Sequence, residues 1–272
     1  MSLFKKINIH ILLIVVAMIM IFPLIWMILL SLKQFPDGNT SLNELLSSTF
    51  TISNYADALK SDDFGKYFLN SIFVSLMVTL GNLLFCLMVG YALARKNFSG
   101  KDIFFMLILG VIIIPPHVIM IPLYRLMVSL DWINSYYALI MPWLVSPFGI
   151  FLVKQYVETL PKEIEDAARI DGAGEWYIIF RIVAPLSKPI LTVLAVYIFL
   201  GNWNSFLFPY LFTNSAEYRT LPVGLTFYLG KQSVDWGHLM AGAGISALPV
   251  LILFMAFQKQ IIQGLTAGAL KD

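Results

Sequence analysis

An all-α integral membrane protein with six spans is the fold this sequence predicts. Three observations point there: composition, the spacing of apolar runs, and the placement of basic residues. Of 272 residues, 59% are hydrophobic and only 12% are charged, and the mean hydropathy is +0.80. Soluble domains carry about 25% charged residues, so this chain lies far outside that class. The net charge of +2 gives no polybasic signal for nucleic acid. The single cysteine, Cys86, lies inside an apolar run, which rules out an intrachain disulfide and suggests no cysteine metal site.

A helix needs about 20 apolar residues to cross the hydrocarbon core. Six runs qualify, at 9–32, 67–94, 103–124, 136–157, 189–212 and 239–258. The first follows Lys5 and Lys6, as a secretory signal would. It exceeds the roughly 7–15 residues of a signal's apolar region, so it is expected to be retained as a span. Between the first two spans, the polar 33–66 stretch is long enough for a short interfacial helix near 53–60.

An even number of spans puts both termini on one side. That side collects Lys5, Lys6, Arg95, Lys96, Lys101, Lys154, Lys162, Arg169, Arg181, Lys188, Lys259 and Lys271. The other side collects Lys33, Lys60, Lys66, Arg125, Arg219 and Lys231. The bias of twelve to six predicts cytoplasmic termini and a cytoplasmic 158–186 loop.

No span carries Asp, Glu, Lys or Arg in its central part. Ion-driven carriers use such groups near the midplane, so their absence argues against one. Pro115, Pro116 and Pro122 interrupt the third span and predict a kink there, beside His117. The stretch from Gly224 to Lys231, GLTFYLGK, imitates a phosphate loop. Five residues separate its glycines where four are needed, and Gln232 replaces the hydroxyl residue. If ATP drives this protein, another chain hydrolyses it.

The segment 161–185, PKEIEDAARIDGAGEWYIIFRIVAP, is a charged stretch between apolar runs. Pro161 suits a helix start. Glu163, Glu165 and Asp166 follow in the first turns, where the macrodipole favours carboxylates. Glu165 and Arg169 are spaced to pair along the helix. Ala167 and Ala168 permit close approach of another surface. Gly172 and Gly174 break the helix, and a second helical stretch runs through Ile182 to Pro185.

The pattern Asp166-Ala167-Ala168, Gly172, Ile182, Pro185 resembles the EAA loop of ABC importer permeases, in the form found in the carbohydrate (maltose-type) subfamily. Asp166 stands where that family has Glu, and Ala184 stands where Leu is common. The tail Gly264-Leu265-Thr266-Ala267-Gly268 is also similar, as are Trp203-Asn204 with Pro209 and Leu221-Pro222-Val223-Gly224. The resemblance implies a type I importer permease fold with a cytoplasmic coupling helix. One permease domain would occupy 1–272, with the coupling loop at about 158–186 and the tail at about 259–272.

It further implies an ATP-driven import path for a sugar or oligosaccharide, in a bacterial plasma membrane. The chain would catalyse nothing and bind no cofactor; ATP and Mg would sit on two separate ATPase subunits. Glu165, Asp166, Ala167, Ala168, Arg169, Asp171, Gly172 and Ala173 would dock on an ATPase, and the tail would reach the ATPase dimer. A second homologous permease chain and an external sugar-binding protein, contacting about 213–235, would complete the assembly within membrane lipid. Alternatives are the same machine for an amino acid or polyamine, or a passive channel or structural subunit with no ATPase partner.

Polar groups within spans are costly unless they face the protein interior. Asn70, Ser71, Asn82, Asn202, Trp203 and Asn204 are therefore candidate pathway residues, since amides and aromatic faces suit sugars. Interhelical hydrogen bonding and an interfacial Trp belt are the commoner roles for such residues.

Overall fold

The computed structural model describes residues 3–34, 36–47, 49–60, 63–229 and 234–267. Lys231, Gln232, Gly268 and Lys271 lie outside the described residues. Within them, every regular element is a helix except an isolated antiparallel bridge between Lys33 and Phe50. The order begins α1 (Leu3–Leu32), α2 (Leu42–Ser47), α3 (Ser53–Lys60) and α4 (Phe64–Arg95). Then α5 (Lys101–Ile113) and α6 (Met120–Ser129) flank a tight turn at Pro116–Ile119, and α7 (Tyr136–Ile140) precedes α8 (Pro147–Glu158). The loop helix α9 (Lys162–Ile170) leads to α10 (Glu175–Leu186), which contains a π-helical turn at Ile178–Val183. The chain ends with α11 (Lys188–Trp203), α12 (Leu207–Phe212), α13 (Leu221–Leu225) and α14 (Trp236–Ala267).

Four segments among the described residues are long and apolar enough to cross a membrane: Ile7–Leu32, Phe64–Arg95, Tyr136–Glu158 and Trp236–Gln260. Two bent pairs complete the set, α5 with Pro116–Ser129 at 92° and α10 with α11 at 81°. With each pair taken as one span the count is six, as the sequence predicts.

The bend at 114–116 and the break at 203–207 have local causes. Ile114 and Pro115 are extended (ψ 117° and 130°), because a residue before proline is pushed out of the helical region. The fifth apolar run continues to residue 212, but its helix stops at Trp203 and resumes at Leu207. Asn202 and Asn204 turn their amides back onto the Ile198 and Leu200 carbonyls, at 2.9 and 3.0 Å. Such local bonds compete with continuation of the helix.

The chain divides into two compact units, residues 1–65 with 223–249, and 66–222 with 250–272. In the first, α3 occupies 53–60, where the interfacial helix was expected. Asn54 Nδ2 donates to the Ser31 and Lys33 carbonyls at 2.9 and 2.8 Å, and Ser31 Oγ bonds the Tyr55 hydroxyl at 2.7 Å. Helix α1 exposes apolar side chains all around its axis between Ile7 and Ile25, a surface suited to lipid.

The second unit holds the larger core: Val78, Tyr91, Val153, Val157, Ile178, Val183, Leu194 and Phe212 are all buried. Its 213–221 segment is fastened by side chains. Asn134, at φ 58°, donates its backbone N–H to the Phe212 carbonyl. Its Oδ1 accepts from Asn214 N, Ser215 N and Ser215 Oγ at 2.8–3.0 Å. Asparagine tolerates this left-handed backbone and supplies the acceptor, so Asn134→Val loses both. The expected cost is about 1–3 kcal/mol, with faster amide exchange at 214–215 than in the native chain. Unchanged exchange there would show that other contacts suffice.

Candidate functional site

The loop between α8 and α11 carries the candidate site. Pro161 precedes the first residue of α9, which takes Glu163 and Glu165 into its first turn. The helix ends in a Schellman arrangement: Ala173 N–H bonds the Ala168 carbonyl and Gly172 N–H bonds the Arg169 carbonyl. Gly172 has φ 84°, a conformation that costs any side chain about 1–2 kcal/mol. The glycine is therefore required by the turn that releases the chain into α10.

The two sides of α9 differ. Asp166, Ala167, Asp171 and Gly172 are exposed, and Ile170 is 88% exposed. Ala168 and Ala173 are half-buried against the core. Beside them lies an open concavity of about 560 Å³, lined by Ala168, Asp171, Gly172, Ala173, Gly174, Tyr177 and Ile182. Glu165 points the other way and is 2% exposed.

Glu165 meets the end of α4. Arg95 Nε donates to its Oε1 at 2.6 Å, and Arg95 Nη2 donates to the Leu160 carbonyl at 2.7 Å. The side chains of this pair are 4% and 3% exposed. The expected partner Arg169 is also present, but at 3.6 Å. Arg169 instead pairs with Asp166 at 2.8 Å and donates to the Tyr91 hydroxyl at 3.1 Å. Tyr91 donates to Glu175 at 3.0 Å, and Lys96 pairs with Glu175 at 2.5 Å. Tyr91 and Arg95 of α4, with Lys96 just after it, thus hold both halves of the loop. Sequence reasoning missed Tyr91, Arg95 and Lys96 as members of the site. The one available signal was Arg95 and Lys96 closing an otherwise uncharged span.

The six candidate pathway residues fall into place differently. Asn70 Nδ2 donates to the Glu217 and Arg219 carbonyls, and its Oδ1 accepts from Tyr136. Ser71 Oγ accepts from Leu221 N, and Asn82 Nδ2 donates to the Val78 and Trp143 carbonyls. Trp203 is 3% exposed, edge-on to Phe68 and stacked on Phe199. All four are sealed and engaged inside the bundle, while Asn202 is half-buried and Asn204 is exposed. Ser71 and Asn202 do line a shared cavity, of about 10 Å³. A sugar site needs about 300 Å³ or more. Gly264, Leu265, Thr266 and Ala267 continue α14 as helix.

Helices long and apolar enough to cross a membrane, joined by a charged loop helix, define a multi-span membrane protein. Its sequence matches the model of the binding-protein-dependent transport system inner membrane component over residues 86–267. An arabinooligosaccharides transport system permease protein of Halalkalibacterium halodurans is 38% identical, covering 94% of this chain and 93% of that protein. A trehalose/maltose transport system permease protein of Thermococcus litoralis is 35% identical, covering 95% and 94%. Among solved structures, a bacterial ABC transporter involved in the import of the acidic polysaccharide alginate superposes with a TM-score of 0.84. It is 23% identical and covers 94% of this chain and 95% of that one, a likeness of fold. The chain belongs to the family of binding-protein-dependent transport system inner membrane components. It is a permease subunit of an ABC importer, and the ATPase of such a system is a separate subunit.

Proposed function

We propose that this chain forms one half of a carbohydrate import path and that α9 is its coupling helix. The observation that carries this is the two-sided α9. One side is locked to α4, and the other presents Asp166, Ala167, Asp171 and Gly172 to the solvent. A helix held rigidly and bared on one face is suited to a groove on another protein. The 158–186 loop and both termini are assigned to the cytoplasm on the charge bias of the loops.

The whole chain acts as a single permease domain. It pairs with a second homologous permease, two ATPase subunits that hold ATP and Mg, and an external binding protein that meets the 213–235 region. The tail at 264–268 reaches toward the ATPases. A sugar or oligosaccharide is the cargo, supported by the names of the relatives and by spans without central charges. The break at 114–119 supports a place for the third span along the path. Open backbone at membrane depth must face protein or a water-filled cavity.

The test is co-purification from the native membrane. An ATPase subunit is expected to accompany the native chain and to be lost with Asp166→Lys, which reverses the charge on the bared face. Loss is also expected with Gly172→Pro, which cannot adopt φ 84°. Labelled oligosaccharide uptake should fall in parallel. Retention of the ATPase and of uptake by both variants would remove α9 from the interface.

A further inference from the structure

We infer that α4 is a rod that carries movement of the coupling loop to the outer 217–221 segment. The Arg95–Glu165 pair is its inner grip, and Asn70 with Ser71 is its outer grip. The inference rests on the coupling role proposed for α9.

Three observations carry it. First, α4 is one unbroken helix of 32 residues, and its apolar run is the only one of the six without a proline. The other spans hold Pro23, Pro115, Pro116 and Pro122, Pro142 and Pro147, Pro189 and Pro209, and Pro249. The third is bent by 92° within its length, and the helix of the fifth stops at Trp203 and resumes at Leu207. A load applied to a bent span is absorbed at the bend, whereas a straight helix moves as a body.

Second, the inner end is held by a buried ion pair. The Arg95 guanidinium ties Glu165 of α9 and the Leu160 carbonyl after α8 to the last residue of α4. Charge-assisted bonds of this kind are short and directional, so the joint resists sliding where apolar packing would give. Glu165 cannot itself dock on another protein, since its carboxylate is enclosed within the chain. Its contribution is to make α9 and α4 move together.

Third, the outer end is held by side chains that grip backbone. Asn70 donates to the Glu217 and Arg219 carbonyls at 2.8 and 2.9 Å, and Ser71 accepts from Leu221 N at 2.7 Å. Tyr136 fixes the Asn70 amide by bonding its Oδ1 at 2.7 Å. Twenty-five residues separate Asn70 from Arg95, about 37 Å at the helical rise. One element thus joins the loop facing the ATPase to the loop on the opposite face. Arg95, Glu165, Asn70 and Ser71 are positioning residues in this scheme. They touch neither nucleotide nor cargo.

The experiment uses the whole transporter in proteoliposomes with its ATPases and sugar-loaded binding protein. Glu165→Gln cuts the inner grip while keeping the side chain's shape, and Asn70→Leu cuts the outer one. Both are expected to retain the ATPases and to lose about tenfold in sugar moved per ATP hydrolysed. The same loss from two sites at opposite ends is not expected of independent packing defects. If Glu165→Gln sheds the ATPases, Glu165 is a docking residue and the rod is wrong. If either variant keeps native coupling, the rod is also wrong. An absence of ATPase from the native complex would instead overturn the coupling role itself.

A second measurement needs no disabled variant. Spin labels at Asn97→Cys and Glu217→Cys, on a Cys86→Ser background, report the rod's length. The distance is expected to hold within about 2 Å between nucleotide-free and ATP-bound states. A larger change would show that α4 or its grips yield.

Discussion

Replacing Arg95 with methionine is expected to be among the most destabilising single changes in the 66–222 unit, at about 3–5 kcal/mol. The size follows from what remains. Glu165 would stay 2% exposed with its near partner gone, and Arg169 lies 3.6 Å away on the solvent side. The Leu160 carbonyl would lose its donor as well. Thermal unfolding of the purified protein in detergent reads the loss. The double variant Arg95→Met with Glu165→Met is expected to recover most of it, because an apolar pair of similar volume need not be desolvated. That double variant separates two roles of one contact: it restores the fold but leaves apolar packing where a directional joint stood. Native stability with lost coupling is the expected combination. A loss below about 1 kcal/mol in the single variant would mean that the pair is no stronger than a solvated surface bridge.

The sequence revealed the elements more readily than their directions. The interfacial helix at 53–60 and the loop helix after Pro161 stand where composition and capping chemistry put them. Gly172 and the break beside Pro115 and Pro116 are likewise local, and local signals are legible. Hydropathy reports that a run is apolar, but not that the third turns by 92° within its length. The loop's ion pairs show the same limit. Spacing made Arg169 the partner of Glu165, but Arg95, 70 residues earlier, holds it more closely. Burial decides between the two, and burial is a property of the assembled chain. For Asn70, Ser71 and Asn82, the cost of polar groups in lipid correctly turned them inward. It did not distinguish a backbone group of the same chain from a passing solute.

Substituting Gly90 with leucine is expected to prevent the membrane protein from accumulating, and even Gly90→Ala should cost about 1–3 kcal/mol. Helices α4 and α8 approach closely along one face. A Cβ at Gly90 would lie 2.8 Å from Val153 Cγ1, 3.0 Å from Val153 Cβ and 3.1 Å from the Lys154 backbone nitrogen. One helical turn away, a Cβ at Gly149 would meet Cys86 Sγ at 2.8 Å and Leu194 Cδ1 at 3.1 Å. Small residues at such crossings let helices pack where lipid offers no hydrophobic push. The two glycines differ in what can yield. Side-chain ends surround Gly149, whereas Gly90 faces a Cβ and a backbone nitrogen that cannot rotate away. Gly149→Ala should therefore melt higher than Gly90→Ala. Val153→Ala should rescue Gly90→Ala only partly, since Lys154 N stays in place. Equal melting temperatures for the two alanine variants would show that the helices separate freely. A rod must be guided along its length as well as gripped at its ends, and this contact is one guide along α4.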